Sequence, residues 1–162
     1  MEKRNQILII VRGIPGSGKS TFAKEIVKMF PDDSVHWESD MFFMHNGVYC
    51  WKPNKVNLAH RWCQQKVEKS FDAVDIVVVS NTFTTESEMK SYLDFAKENG
   101  ISVQIVRMEN RFENEHGVPK ATLEKMKARF VDMPNEIVVT AENNAAMLRA
   151  VKLAATIATM KD

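Results

Sequence analysis

The sequence predicts an α/β protein with helices on both faces of a mostly parallel sheet of about five strands. Three observations predict it. Strand-type apolar runs alternate with helical periodicities in the order β-α-β-α-β-α-β-α-β-α. The Ile-Val-Val-Val run beginning at Ile76 is apolar at consecutive positions, which suits a strand covered on both faces. The 162 residues, 44% hydrophobic and 27% charged, fit one globular domain over 1–162, with no repeat or linker in view.

Residues 6–12 are apolar and β-branched and end at a glycine cluster, as a strand does before a tight loop. In residues 20–30, Phe22, Ala23, Ile26, Val27 and Phe30 recur at helical spacing and Pro31 stops them. Residues 34–38 form a short strand, and 47–53 a loop rich in aromatic residues. Ala59, Trp62, Cys63, Val67, Ser70 and Phe71 give a helix over 54–71, followed by a strand over 75–80. Thr85 and Glu88 have capping-box spacing before the stripe Met89, Tyr92, Leu93 and Ala96, and Asn99-Gly100 ends that helix. A fourth strand covers 101–107. Pro119 opens a helix with Leu123, Met126 and Phe130 on its buried face. A fifth strand (136–140) and a final amphipathic helix (142–159) complete the pattern.

Composition narrows the class. No stretch has the roughly 18 uninterrupted apolar residues of a membrane helix. Residues 7–11 are too short for a signal-peptide core of about 7–15 residues, so a cytoplasmic location is expected. Cys50 and Cys63 lack metal-ligand spacing and read as free, packed thiols. The net charge of +1 gives no sign of strong non-specific nucleic-acid binding, which needs clustered cations. Yet Lys52, Lys55, Arg61, Lys66 and Lys69 cluster against one acid, Glu68.

After the first strand comes Gly13-Ile14-Pro15-Gly16-Ser17-Gly18-Lys19-Ser20-Thr21, a G-x-x-x-x-G-K-[ST] loop between a strand and a helix. This setting predicts nucleoside triphosphate binding and a three-layer P-loop NTPase fold. Main-chain N–H groups wrap a polyphosphate only where bulky side chains are absent, and the following helix turns its positive end to the anion. Lys19 supplies a cation to the terminal phosphates, and Ser20 a hydroxyl to Mg²⁺.

Asp40, just beyond the second strand, is the candidate general base for a hydroxyl acceptor and a possible water-mediated magnesium contact. Glu38, the competing carboxylate, should still lie within that strand. The strand beside the loop ends Ser80-Asn81-Thr82, with no acid to hold magnesium-bound water, a role open to Asn81 or Thr82. Cations over a migrating phosphoryl group are expected from Arg107, Arg111, Lys120 or Arg129, with Arg111 best placed for a lid. His36 and His60 read as packing or surface residues. Trp62 reads as core, while Tyr49 and Trp51 are candidates to stack on a base.

These strings together resemble the polynucleotide kinase family of P-loop proteins, meaning the kinase half of bacteriophage polynucleotide kinase and its small relatives. The carrying residues are Gly-Ile-Pro-Gly-Ser-Gly-Lys-Ser-Thr at 13–21, Ser-Asp-Met-Phe-Phe at 39–43, Asn-Gly-Val-Tyr at 46–49 and Ala-His-Arg-Trp-Cys at 59–63. Ser-Asn-Thr-Phe-Thr at 80–84 and His-Gly-Val-Pro at 116–119, with Met126 and Arg129, complete the set.

The resemblance implies transfer of the γ-phosphate of ATP, with Mg²⁺, to the 5′-hydroxyl of DNA or RNA. It assigns Lys19 and Ser20 to ATP and magnesium, and Asp40 to general base. Arg111 and Arg129 are the lid cations carried forward. It also implies a nucleic-acid partner with a 5′-hydroxyl end, as in nucleic acid repair. No obligate protein partner is evident. The chain departs from the phage pattern in having Phe43 in place of an acceptor-gripping arginine, Asn81 in place of an acid, and Glu113 near the lid arginine. The alternatives are a P-loop kinase acting on another hydroxyl (a hydroxymethylated base, a nucleoside or a small metabolite) and a non-catalytic nucleotide-binding module. No histidine begins a His-x-Thr/Ser motif, which excludes the phosphodiesterase chemistry of some relatives.

Overall fold

The computed structural model describes residues 3–110 and 117–161. Five parallel strands form one sheet: β1 (Ile7–Arg12), β2 (Ser34–Trp37), β5 (Ile76–Asn81), β6 (Ser102–Met108) and β7 (Ile137–Val139), in spatial order β2-β5-β1-β6-β7. Two further strands, β3 (Met44–His45) and β4 (Val48–Tyr49), pair as a separate antiparallel hairpin. Its turn is Asn46-Gly47, both with positive φ, the chemistry of a two-residue hairpin turn. The sequence reading, which placed a loop over 47–53, missed this hairpin because two-residue strands carry no periodicity.

Helices cover both faces of the sheet. Against one face, α1 (Lys19–Met29) and α5 (Asn144–Ala158) enclose Ile7, Ile9, Val11, Ile76 and Val78. On the other, α2 (Val56–Ser70) and α3 (Glu86–Glu98) enclose Leu8, Ile10, Val77 and Val79. The alternation of β1 and β5 side chains between two apolar cores explains why both strands read as continuous apolar runs. The architecture is the three-layer P-loop NTPase fold that the sequence predicts. Among the described residues no helix is long and apolar enough to cross a membrane.

Three local expectations are corrected. Helix α4 (Lys120–Arg129) has no fully buried residue, so Leu123 and Met126 are half-buried rather than core. Phe130 at its end instead meets two guanidiniums from the sheet, with its ring centroid 4.1 Å from Arg12 and 4.7 Å from Arg107. The capping box is shifted by one residue: Glu88 accepts from the backbone N–H and hydroxyl of Thr84, at 2.7 and 2.9 Å, not from Thr85. Cys63 is packed, but Cys50 is exposed.

Arg12, the last residue of β1, is completely buried and pairs with the buried Glu136 carboxylate at 2.8 Å. Burial pulls its pKa down, against the opposing pull of Glu136. It also donates to the carbonyls of Phe83 (2.9 Å) and Val131 (2.8 Å). Removing one partner of a buried pair strands the other charge. Glu136→Ala should therefore cost about 3–5 kcal/mol in denaturant unfolding, well above the effect of an exposed substitution such as Glu142→Ala.

Candidate active site

The central strand β1 ends at Arg12, just before Gly13, and its neighbours β5 and β6 end at the same edge through parallel register. In open α/β sheets this carboxyl edge is where ligands bind. Gly13 is the close-packed point of the loop. A Cβ there would run into the Ser17 side chain and lie 2.9 Å from the Met108 carbonyl oxygen. Gly18 takes a left-handed conformation (φ 91°) and caps α1, so the helix begins at Lys19 with its free N–H groups turned to the loop.

Lys19 Nζ donates to the Ile14 carbonyl oxygen at 3.1 Å. Burial pulls the Lys19 pKa down to about 8, while the charges of Glu38 and Asp40 pull it back up. The ammonium therefore lies within the field of both carboxylates at the phosphate edge. Ser17 Oγ is buried with no hydrogen-bond partner, an orphaned polar atom within the loop.

The placement of Glu38 corrects the sequence reading. Strand β2 ends at Trp37, and Glu38 stands beyond it, at the start of a 3-10 turn over Ser39–Phe43. Its Oε2 accepts from Ser20 Oγ at 2.6 Å and from Ser80 Oγ at 3.0 Å. His36 Nε2 is 2.6 Å from Ser80 Oγ. Ser80 gives its single proton to Glu38, so His36 is the donor there, as the neutral Nε2–H tautomer; burial holds its pKa low. His36 is thus part of the polar site rather than simple packing. Asn81 Oδ1 accepts from the Ser39 N–H at 2.9 Å and anchors the turn. His60 Nδ1 lies 2.9 Å from Ser39 Oγ on the other side.

Asp40 lies two residues further along the same turn. Tyr49 Oη, from β4, donates to Asp40 Oδ1 at 3.0 Å. Burial, then the Asp40 charge, pushes the Tyr49 pKa well above its ordinary value, so the phenol stays protonated and remains a donor. This contact ties the Tyr49 hydroxyl to Asp40. Trp51 is exposed, whereas Trp62 packs edge-on against Trp37 and Phe42.

The lid candidates separate. Arg107 pairs with Glu109 at 2.8 Å, with Asp132, and with Glu136 at 3.4 Å. Burial works against its charge, but these carboxylates outweigh it and raise its pKa. Arg129 Nε donates to Thr84 Oγ1 at 3.0 Å, on the β5–α3 loop. Arg111 lies outside the described residues. Lys120 is exposed at the start of α4. Lys127, which the sequence reading passed over among several helix lysines, lines a cavity of about 190 Å³ with Ile14, Asn110 and Phe130. A larger cavity of about 350 Å³ opens between the starts of α1 and α5, lined by Gly18, Thr21, Asn110 and Asn144.

Among the described residues no three His, Cys, Asp or Glu side chains group as a metal cage. Ser20 and Glu38 are a hard-oxygen pair beside the phosphate loop. That set fits Mg²⁺, which takes few protein oxygens and completes its shell with phosphate oxygens and water.

Fold and loop together define a P-loop NTPase. The family model described as an AAA domain matches residues 8–133, and the chain belongs to that family. It is 30% identical over 148 residues to an uncharacterized protein of Pasteurella multocida (strain Pm70), with 83% of each chain covered. It is 27% identical over 141 residues to human (Homo sapiens) NEDD4-binding protein 2, covering 79% of this chain but only 8% of that much longer protein. Among solved structures, a gluconokinase from Sinorhizobium meliloti 1021 superposes with a TM-score of 0.63 at 15% identity, covering 96% of this chain and 95% of that one. A chain of the Pnkp1/Rnl/Hen1 complex gives 0.55 at 21% identity, covering 77% of this chain and 40% of that one. At these identities the structural likeness is one of fold.

Gly13→Ala should destabilise the protein by about 1–3 kcal/mol, because the new methyl meets the Met108 backbone and cannot be accommodated by a side-chain rotation alone. Thermal unfolding of the ligand-free protein measures it, and a variant as stable as the parent would refute the packing argument.

Proposed function

We propose that residues 1–162 act as a P-loop kinase domain that moves the γ-phosphoryl group of ATP onto a hydroxyl, with Asp40 as general base. The observation that carries this reading is the separation of two carboxylates on one turn. Glu38 is held against Ser20 at the phosphate loop, and Asp40 lies beyond it, beside Tyr49. A module that only bound nucleotide would need no second acid there.

In this reading the main chain of 13–21 wraps the phosphates, and Lys19 moves from Ile14 O to the terminal phosphates. The cavity between α1 and α5 has room for the nucleoside end. Ser20 would hold Mg²⁺, which would supply charge neutralisation to the phosphates. Asp40 orients the acceptor hydroxyl and takes its proton, and the Tyr49 hydroxyl fixes the carboxylate's direction. Arg111, Arg129 and Lys127 are the cations proposed to cover the migrating phosphoryl group. For Arg129 this requires leaving Thr84 when substrate binds.

For the acceptor, the 5′-hydroxyl end of a nucleic acid draws support from the chain beside Asp40. No carboxylate occurs between Asp40 and Glu68, while Lys52, Lys55, Arg61 and Lys66 all fall there and Trp51 is exposed. A small hydroxyl compound is the second reading, favoured by the gluconokinase fold that covers nearly the whole chain.

Labelled γ-phosphate ATP with a panel of 5′-hydroxyl and 5′-phosphate oligonucleotides, hydroxymethylated duplexes, nucleosides and sugar acids decides between them. Label confined to 5′-hydroxyl oligonucleotides supports the polynucleotide acceptor, and label on a small compound supports the second reading. No label on any acceptor, with ATP still bound, would leave only a nucleotide-binding module. Asp40→Asn should keep ATP binding and lose at least about 100-fold in transfer, whereas Lys19→Ala should weaken ATP binding itself. An Asp40→Asn protein as fast as the parent would remove Asp40 from the chemistry.

A further inference from the structure

The strand beside the phosphate loop, β5, ends in Ser80 and Asn81, and neither can supply the negative charge that a P-loop site places next to its metal. The neighbouring strand β2 delivers a carboxylate to the same place. Glu38 Oε2 is 2.6 Å from Ser20 Oγ and 3.0 Å from Ser80 Oγ, and its side chain is 22% exposed. Resting on the proposed function, we infer that Glu38 is the metal-positioning acid of this site, in place of an acid on β5.

The hydrogen-bond directions make the assignment specific. Ser20 spends its one proton on Glu38, so the oxygen lone pairs of that hydroxyl are left for a hard cation. A hydroxyl pointing its proton at the metal could not ligate it. Ser80 spends its proton on the same carboxylate oxygen and holds the side chain in place, with His36 donating to Ser80 from behind. Serine at the end of β5 is therefore the tether of an acid borrowed from next door. Asn81 completes the exchange: its amide oxygen fixes the Ser39 N–H, and with it the turn that sets Glu38 and Asp40 apart. Asp40, bonded to Tyr49, is left to the acceptor side.

Metal affinity can be read without any phosphoryl transfer. Manganese is titrated into the full-length protein saturated with a non-hydrolysable ATP analogue, and free Mn²⁺ is followed by electron paramagnetic resonance. Glu38→Gln should weaken Mn²⁺ about 10–100-fold, the usual loss when a partner that orients a metal ligand is removed. Its metal-free affinity for the analogue should stay at or above the parent's, which also reports that the variant is folded. Asp40→Asn should change Mn²⁺ affinity by less than about twofold. Ser80→Ala, which unfastens the carboxylate but keeps it, should give a smaller loss in the same direction and serves if Glu38→Gln does not fold. Parental Mn²⁺ affinity in Glu38→Gln, or in Ser80→Ala where that variant alone folds, overturns the assignment. So does a loss in Asp40→Asn equal to that in Glu38→Gln. Absence of transfer to every acceptor would sink the kinase reading and leave this measurement standing.

Discussion

A buried cation organises the phosphate edge of this protein. Arg12 ends the central strand with no solvent exposure, and an isolated guanidinium there would be prohibitively costly to desolvate. It is tolerated because three segments converge on it. Glu136 neutralises it from the start of β7, and Phe83 and Val131 offer carbonyls from the loops after β5 and α4. Phe130 stacks on its face. Those segments border the phosphate loop that begins one residue later. The same constraint explains why Phe83 keeps a left-handed backbone (φ 45°): its carbonyl is held by the guanidinium. Strain at such a position persists where the surroundings over-determine it.

The site is then a matter of what each strand end delivers. β1 gives the loop and Lys19, β2 gives Glu38 and the turn carrying Asp40, and β5 gives Ser80 and Asn81. No single strand end carries a complete apparatus. The two acids are separated by only one residue, yet the 3-10 turn sends one to Ser20 and the other to Tyr49. A regular extension of β2 would also have placed both side chains on one face, since alternate strand residues point the same way. The turn is what breaks that equivalence, and Asn81 and His60 both brace it through Ser39.

Much of this was legible in the sequence, and the reasons differ by element. Among the described residues the sheet strands and most helices follow from periodicity, because the two cores demand apolar residues on fixed spacings along β1, β5, α1 and α3. The phosphate loop is legible because its chemistry tolerates so few residue types. Glu38 was misplaced by a single residue. Strand ends are the least certain feature of a periodic pattern, and here one residue decides whether a side chain packs in a strand or reaches the loop. The Arg12–Glu136 pair was invisible for a different reason: its partners lie 124 positions apart, and no local pattern links them. The buried stripe expected on α4 failed because Phe130 found guanidinium faces instead of an aliphatic sheet surface.

The segment from Glu38 to Glu68 is strongly polarised for a protein of net charge +1. Glu38 and Asp40 place negative charge at the loop, and the residues that follow, through the hairpin and into α2, carry only cations until Glu68. The cations Lys52, Lys55 and Arg61 are exposed, so they do not neutralise those acids by burial against them. Lys66 is exposed as well, with its ammonium over the rings of Trp37 and Trp62 at 5.6 and 5.9 Å. An acceptor that brought its own negative charge would meet repulsion from Asp40 unless its charged part lay away from the reacting hydroxyl, over the basic segment. A phosphodiester chain with a hydroxyl at its tip has that separation built in. A compact acidic metabolite does not, and this is the physical content of the extended acceptor proposed above; the fold itself is shared with small-molecule kinases and does not choose between them.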